Sequence, residues 1–253
     1  MMKLSLLFSL AESDFKSRFA GSVLGVLWAF LSPMLTIAIY WFVYTVALNG
    51  PDVAGTPYLF WLIAGILPWF FLSDGLSGAT ACYWDYRFLV RKTRFQAGIL
   101  PFIRTLSALW VHLPLLGISY LAFSFAGIPL GFGQLWVIFW VIVTFLFILS
   151  LGRVLALWCA RLKDVSYGLQ SAIQLGFWIT PIFWNPAELS PFLQTICQCN
   201  PAAILVSGYR DALLKGQMPT LQSLGVLTGF ILIFFLIGTI LNKKITPTLA
   251  DKL

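Results

Sequence analysis

The 253-residue sequence has few charged residues. Only 10% of its residues are Asp, Glu, Lys or Arg, whereas 60% are hydrophobic, and the mean hydropathy is +0.90. Soluble domains carry about 25% charged residues. The shortage of charge therefore excludes a soluble domain and predicts a polytopic membrane protein.

Residue types that carry most enzyme and metal chemistry are also scarce. His112 is the single histidine and the dipeptide Gly-Lys never occurs, so the chain has neither an H-E-x-x-H zinc motif nor a phosphate-binding G-x-x-x-x-G-K-[ST] loop. The four cysteines form no disulfide framework, and the close pair Cys197 and Cys199 lacks further His or Cys ligands. We therefore expect no catalytic residue, no metal and no cofactor in this chain.

The few ionisable residues inside apolar runs also argue against an internal source of energy. Proton relays in membrane proteins use several intramembrane carboxylates or histidines. Only Asp74 and His112 qualify, and a single histidine is most often a packing residue with a satisfied hydrogen bond. The basic residues, which give a net charge of +7, lie at the edges of apolar runs rather than in a nucleic-acid-binding patch. Energy for transport must come from an ion gradient or from another subunit, and the scarcity of intramembrane ionisable residues favours another subunit.

Long apolar runs are what the sequence has in abundance. A helix needs about 20 apolar residues to cross the hydrocarbon core of a bilayer. The predicted spans are residues 28–48, 58–81, 99–125, 134–160, 165–184 and 221–241. We therefore predict an all-α fold with one transmembrane domain of six membrane-spanning helices. Small residues late in the second span permit close helix packing.

Two further segments are predicted to lie at the membrane surface. In residues 1–27 apolar side chains recur every three or four positions, and Glu12 and Lys16 are spaced for an ion pair on the opposite side, which predicts an amphipathic interface helix. Residues 187–220 are too polar to span yet contain apolar pieces. We predict two short periplasmic re-entrant helices there, separated by Asn200–Pro201.

Lys and Arg are distributed unequally between the two sides of this topology. Of the 16 basic residues, only Arg210 and Lys215 fall on the side away from the termini, which leaves 14 on the other side or at span ends facing it. Cytoplasmic segments carry the excess of Lys and Arg. Both termini are therefore predicted to be cytoplasmic.

The stretch between the second and third spans, residues 83–97, is strongly basic. Arg87, Arg91 and Arg94 are spaced at i, i+4 and i+7 and share one side of a helix, with Phe88 on a neighbouring side. Two interpretations follow from the residues alone. The cations hold the loop on the cytoplasmic side, or the stretch is a contact helix for a soluble partner.

Several stretches in chain order resemble the ABC-2-type permeases that export polysaccharides. They are DFKSRFAGSVLGVLWAFLSP at residues 14–33, FLVRKTRFQAGILP at 88–101, RLKDV at 161–165, TPIFWNP at 180–186, and NP followed by YRDALLKG within 200–216. The chain departs from the family pattern at Gln96–Ala97, where a proline commonly follows the phenylalanine.

This resemblance implies a homodimer in the bacterial cytoplasmic (inner) membrane, with two copies of a separate ATPase subunit that binds ATP and Mg. The implied substrate is a lipid-linked polysaccharide such as O-antigen, capsule or teichoic acid. The loop after the second span would be the coupling helix that inserts into the ATPase. The implied coupling residues are Tyr86, Arg87, Phe88, Leu89, Val90, Arg91 and Lys92.

The aromatic and outer-side residues each have two interpretations. Trp and Tyr form interfacial belts in any membrane protein, but sugars also pack on aromatic rings. A glycan channel would be lined by Tyr40, Tyr44 and Trp61. A periplasmic gate would be formed by Tyr209, Arg210 and Asp211. In the other interpretation, Arg210 and Asp211 are a solvated pair.

Two other functions remain open from the sequence. One is an ABC-2-type exporter of a drug or small lipid. The other is a membrane enzyme acting on isoprenoid-linked sugars, which catalytic turnover by the purified chain alone would favour. A neighbouring ATPase gene among glycosyltransferase genes would favour the polysaccharide exporter.

The charge asymmetry generates a topological prediction. In a cysteine-free background, single cysteines replacing Asp52, Gly131 or Gln217 should react with an impermeant thiol reagent added outside cells. Cysteines replacing Lys92 or Lys244 should react only after the membrane is permeabilised. Outside labelling at position 92 would contradict both the topology and the assignment of the coupling loop.

Overall fold

The structure is a computed structural model that describes residues 4–91, 96–128, 131–246 and 249. Across these residues it contains ten α-helices and no β-strand, which confirms the all-α prediction. The helices are α1 Leu4–Ser17, α2 Trp28–Trp41, α3 Tyr58–Asp85, α4 Arg87–Val90, α5 Leu100–Phe125, α6 Trp136–Cys159, α7 Asp164–Ile179, α8 Pro191–Cys199, α9 Pro201–Lys215 and α10 Leu221–Ile245.

Five helices of the described chain are long and apolar enough to cross a membrane. Short 3₁₀ turns precede α2, α5 and α6, and a π-helical turn, Phe42–Ala47, extends α2. With these extensions the candidate spans are Gly25–Ala47, Tyr58–Asp85, Ala97–Phe125, Phe132–Cys159 and Leu221–Ile245. The multi-pass character predicted from composition is therefore confirmed.

The fifth predicted span, residues 165–184, differs from the helix that forms there. α7 has 16 residues and ends at Ile179, so it is roughly 24 Å long at a rise of 1.5 Å per residue, less than the roughly 30 Å hydrocarbon core. Thr180 has extended backbone angles (φ −76°, ψ 139°) because the following Pro181 disfavours the helical conformation.

The predicted interface helix is also shorter than residues 1–27. α1 ends at Ser17, and the chain then turns through Gly21 (φ +86°) and Gly25 (φ +51°) before α2 begins. Positive φ favours glycine and breaks a helix. The predicted ion pair between Glu12 and Lys16 is present at 2.7 Å. Residues 1–3 of the predicted segment lie outside the described residues.

α3 is the central helix of the bundle and packs against α5, α6 and α9. The close packing predicted for its small residues is confirmed. A Cβ on Gly75 would lie 2.8 Å from the Ile148 side chain, and one on Gly152 of α6 would lie 2.7 Å from Ala79. Such small residues let helix backbones approach closely.

The segment after α7 forms the two short helices predicted from the sequence. α8 and α9 meet at Asn200–Pro201, where the Asn200 side chain caps α9 by accepting a hydrogen bond from the Ala202 amide at 3.0 Å. One side of α9 is buried in the main core. The re-entrant position of these helices in a membrane stays a prediction.

A second, smaller core gathers the helix ends on one side of the bundle. It contains residues of α1, the end of α3, α4, the start of α5, the end of α6 and the end of α10, with Cys82 and Leu100 almost fully buried. Several basic residues predicted to be cytoplasmic lie on these same helix ends. This end of the bundle therefore carries the predicted coupling loop.

Candidate functional site

The described part of the coupling loop is a single helical turn. α3 continues to Asp85, and α4, Arg87–Val90, follows after Tyr86. The Arg91 amide donates to the Arg87 carbonyl at 3.1 Å, so Arg91 stands one turn beyond Arg87 as predicted. Lys92 and Arg94 lie outside the described residues, and the longer basic helix through Arg94 stays a prediction.

The side chains of this turn divide into an anchored and an exposed group. Val90 is buried in the smaller core. Phe88 is 70% exposed, Arg87 and Arg91 are exposed, and Leu89 is partly exposed. Of the predicted coupling residues, Val90 therefore fixes the turn to the bundle. Arg87, Phe88 and Arg91 form the outer surface of the turn.

Tyr86, which starts this turn, is held by a buried carboxylate of α1. Asp14 is only 2% exposed, and its Oδ1 accepts a hydrogen bond from the Tyr86 hydroxyl. Arg104 Nη1 lies 2.8 Å from the same oxygen, and Arg18 Nε lies 3.2 Å from Oδ2. Asp14 therefore joins α1, α5 and the start of α4.

The two arginines extend this arrangement to α3. Arg18 Nη1 contacts both carboxylate oxygens of Asp74, at 3.0 and 2.9 Å, and Arg104 pairs with Asp85. We refer to Asp14, Arg18, Asp74, Asp85 and Arg104 as the charged cluster. Arg18 is thus the polar partner that a carboxylate such as Asp74 requires within an apolar run. The other contacts of the charged cluster were not predicted from the sequence, where Arg18 and Arg104 count only among the basic residues that predict the topology.

The charged cluster sets the protonation of Asp14. Burial raises the pKa of this carboxyl, but Arg104, the hydroxyls of Ser107 and Tyr86, and Arg18 together outweigh that effect and hold the pKa below its usual value. Because the folded pKa lies below the unfolded one, the ionised carboxylate stabilises the fold at neutral pH. This contribution is lost as the pH falls below about 4 and through the folded pKa.

The RLKDV stretch packs against the same end of α3. Trp84 Nε1 donates to the Cys159 carbonyl at 2.8 Å, and Lys163 Nζ lies 3.9 Å from the centre of the Trp84 ring. A cation over an indole face is attracted by the ring quadrupole. The turn between α6 and α7 is thereby fixed beside the charged cluster.

A cavity of about 540 Å³ opens beside the charged cluster, between α2, α3, α5 and α7. It combines the rings of Phe19, Trp28 and Phe70 with the charged groups of Arg18 and Asp74. Its volume is typical of ligand pockets, which are mostly apolar with a few placed polar groups.

One nitrogen of the cavity arginine makes no hydrogen bond within the described residues. Arg18 Nη2 is buried and has no partner there, whereas Nε and Nη1 are paired. On the opposite wall, Gln170 Nε2 of α7 donates to Ser77 Oγ of α3 at 2.9 Å. The cavity therefore places the cationic side chain of Arg18 beside aromatic surface.

The three residues predicted to line a glycan channel are packed in or against the main core. Tyr40 packs on Phe183, with ring centres 4.8 Å apart, and Tyr44 stacks on Tyr58 at 3.6 Å. Trp61 is buried in the main core. None of the three predicted residues lines the 540 Å³ cavity. Their role toward a glycan stays a prediction.

Arg210 is buried rather than solvated. It is 3% exposed, it donates to the backbone carbonyls of Trp61, Pro181 and Ile182, and its guanidinium lies 4.0 Å from the Trp61 ring centre. A Cβ on Gly65 would lie 2.3 Å from Arg210 Nη2, so glycine is needed there. Arg210 therefore ties α9 to α3 and to the turn after α7.

The alternative of a solvated Arg210–Asp211 pair is wrong, because Asp211 pairs with Lys215 at 2.8 Å while Arg210 is surrounded by carbonyl oxygens. Tyr209 is also buried, and its hydroxyl lies 3.0 Å from His112 Nε2. The gate role of Tyr209, Arg210 and Asp211 stays a prediction. His112 stacks on Phe71, with ring centres 4.6 Å apart, as expected for a packing histidine.

Comparison with known proteins identifies the family. The family model described as "ABC-2 type transporter" matches residues 5–214. The chain belongs to this family. It is 28% identical over 233 residues to the O-antigen export system permease protein RfbA of Myxococcus xanthus, covering 88% of this chain and 86% of that protein.

Two proteins of Klebsiella pneumoniae with the same name are also similar to this chain. One is 25% identical over 224 residues, covering 84% of this chain and 82% of the relative. The other is 24% identical over 258 residues, covering 97% and 94%. The resemblance inferred from the five sequence stretches is therefore confirmed at the level of the ABC-2 family.

The charged cluster generates a stability prediction. Asp14→Asn removes the buried negative charge and leaves Arg104 and Arg18 under-compensated, which typically costs about 3–5 kcal/mol for a buried pair. The thermal unfolding midpoint of the purified protein should fall clearly at neutral pH. The difference from wild type should shrink as the pH falls from about 4 through the lower pKa of folded Asp14, because protonation then removes the same negative charge from the wild-type protein.

Glu12→Gln is the matched control, since it removes a carboxylate from the same helix. Its pair with Lys16 is exposed, and surface pairs contribute about 0–1 kcal/mol. Equal unfolding midpoints for the two variants would contradict the structural role of Asp14.

Proposed function

We propose that this chain is the membrane-spanning permease subunit of an ABC transporter that exports lipid-linked polysaccharide, of O-antigen type, across the cytoplasmic membrane. Two copies of the chain form the path, and two copies of a separate ATPase bind ATP and Mg and drive transport. This proposal is supported by the family assignment and by the three relatives, each of which is named as an O-antigen export system permease. In this proposal α7, together with the turn that follows it, is the fifth in chain order of six membrane crossings.

The observation that carries the proposal is the cavity beside the charged cluster. A lipid-linked glycan joins an apolar chain to sugars through an anionic phosphate linkage. Arg18 supplies a donor for that linkage, and the rings of Trp28 and Phe70 supply surface on which apolar chains and sugar faces pack. α2, which forms one wall, is the least buried of the candidate spans, so the cavity is accessible from the side.

The contacts of the site also provide a route from the ATPase to the substrate. The outer surface of α4, formed by Arg87, Phe88 and Arg91, binds the ATPase in this proposal. Tyr86 at the start of α4 is hydrogen-bonded to Asp14, and Asp14 is paired with Arg18 at the cavity. A movement of α4 therefore shifts the group that receives the substrate.

The alternatives are separated by deleting the gene. In the proposed function, surface polysaccharide is lost and its lipid-linked precursor accumulates inside the cell. An exporter of a drug or small lipid would leave surface polysaccharide unchanged and would alter tolerance of that compound. A membrane enzyme acting on isoprenoid-linked sugars would change the structure of the lipid-linked glycan rather than its location. Either of these outcomes would reject the proposal.

The exposed phenylalanine of α4 is expected to be an interface anchor. Phe88→Ala should weaken ATPase co-purification at least about fivefold, the factor that corresponds to 1 kcal/mol, and should lower export in proportion. Phe132→Ala is the matched control, because Phe132 is 92% exposed but precedes α6 at the other end of the bundle. Full ATPase binding by Phe88→Ala at normal membrane levels would place the coupling surface elsewhere.

Filling the cavity should block transport. Thr36 lines the cavity, so Thr36→Trp places a large ring in the volume proposed for substrate and should reduce surface polysaccharide at least tenfold. Leu35→Trp adds the same ring one position earlier, at an exposed residue that does not line the cavity, and should export normally. The measurement is surface polysaccharide per unit of permease in the membrane. Wild-type export by Thr36→Trp would exclude this cavity from the path.

A further inference from the structure

A second cavity, of about 390 Å³, lies between α8, α9, the start of α10 and the 3₁₀ turn Pro186–Glu188. Its polar lining is uncharged and consists of Gln194, Gln198, Ser207, Thr220, Gln222 and Ser223. No charged and no aromatic side chain of the described residues lines it. Its chemistry therefore differs from that of the cavity beside the charged cluster, where Arg18 and Asp74 are present.

The three amides of this second cavity are not equally engaged. Gln194 Nε2 donates to the Leu189 carbonyl at 2.9 Å and to the Ala187 carbonyl at 3.3 Å, so this side chain holds the turn before α8 in place. Gln222 Nε2 reaches Gln198 Oε1 only at 3.4 Å, and both residues are exposed. Such a long hydrogen bond is readily exchanged for one to a ligand.

The engagement of these groups leaves unused hydrogen-bonding capacity. A glutamine amide has two N–H donors and an oxygen that accepts twice, and each hydroxyl both donates and accepts. Gln198, Gln222 and the hydroxyl of Ser207 therefore present donors and acceptors side by side. Adjacent sugar hydroxyls, which also donate and accept, are complementary to this arrangement.

Other ligand classes match this lining poorly. An anion or cation would lose hydration without gaining a counter-charge, and an apolar chain would displace water from the polar groups without forming hydrogen bonds to them. The cavity volume lies within the range of about 300–1,000 Å³ that is usual for small-molecule sites.

We propose that this cavity is a binding site for an uncharged sugar unit of the transported glycan. The inference rests on the proposed function, because a glycan reaches the site only if the chain exports one. The site lies at the start of α10, whereas the lysines at the other end of that helix lie on the side of the charged cluster. The sugar unit bound here therefore belongs to a part of the chain that has already passed through the bundle.

Cysteines of the chain report on the occupancy of this site. Cys197 lines the cavity, whereas Cys199, two residues further along α8, is exposed and does not line it; Cys82 and Cys159 are buried. Cys199→Ser leaves Cys197 as the reactive thiol, and Cys197→Ser leaves Cys199 as the matched control. The rate of N-ethylmaleimide labelling is measured on the full chain in lipid nanodiscs.

The probe is the delipidated surface polysaccharide of the source strain, and polyethylene glycol of equal mass controls for crowding. At about ten times the dissociation constant the polysaccharide should slow Cys197 labelling about tenfold, because only the empty site reacts. Labelling of Cys199 should not change. Absence of protection, equal protection by polyethylene glycol, or a Cys197 that does not react at all would overturn the proposal.

A double variant assigns the effect to the amides. Gln198→Leu with Gln222→Leu keeps the side-chain size but removes hydrogen bonding, and should abolish the protection of Cys197 and lower export. Gln217→Leu is the control, since Gln217 is exposed and lies outside the cavity. Undiminished protection in the double variant would overturn the assignment. If gene deletion removes surface polysaccharide but Cys197 is not protected, the sugar site fails while the proposed function stands.

Discussion

The arrangement of the helix ends depends on one buried carboxylate. Asp14 is removed from water and is stable as an anion only because Arg104, Arg18 and Tyr86 surround it. A buried ion pair is costly unless its partners are well placed and fully hydrogen-bonded. The positions of α1, α5 and the start of α4 are thus interdependent, since moving one of them uncovers charge at the others. A short amphipathic helix that would otherwise be held only by its apolar face becomes a fixed part of the bundle.

At the opposite end of the bundle, a buried charge is stabilised by backbone carbonyls rather than by an ion pair. Arg210 is buried without a carboxylate beside it, and backbone carbonyls of α3 and of the turn after α7 accept its hydrogen bonds. The carbonyls of Pro181 and Ile182 are available because α7 ends at Ile179, so these two residues lie in the turn beyond the helix. The interruption of α7 and the burial of Arg210 therefore explain each other. The close approach at Gly65 completes this packing.

Local patterns in the sequence predicted the helices well but not the contacts that position them. Apolar run length located five of the six predicted spans within a few residues, but it extended the span at α7 to residue 184, past the Thr180–Pro181 dipeptide before which α7 ends. The spacing of Asp14 and Arg18 was readable as a helical i, i+4 pair. Arg104, however, lies 90 residues from Asp14, and only the packing of α1 against α5 brings them together. The polar lining of the second cavity has the same origin, because it comes from three separate helices.

The two arginines of the charged cluster differ in how many of their donors are paired with protein groups. Arg104 contacts Asp14, Asp85 and the Gly78 carbonyl, so its donors are engaged by protein. Arg18 retains one buried unpaired nitrogen, and its partner Asp74 has a side chain that is 45% exposed. In the proposed function, a phosphate in the cavity therefore competes with Asp74 for Arg18 and leaves the contacts of Arg104 unchanged. The coupling in this proposal is reciprocal. If ATPase binding changes the affinity for substrate through Asp14, substrate binding must change the affinity for the ATPase by the same factor.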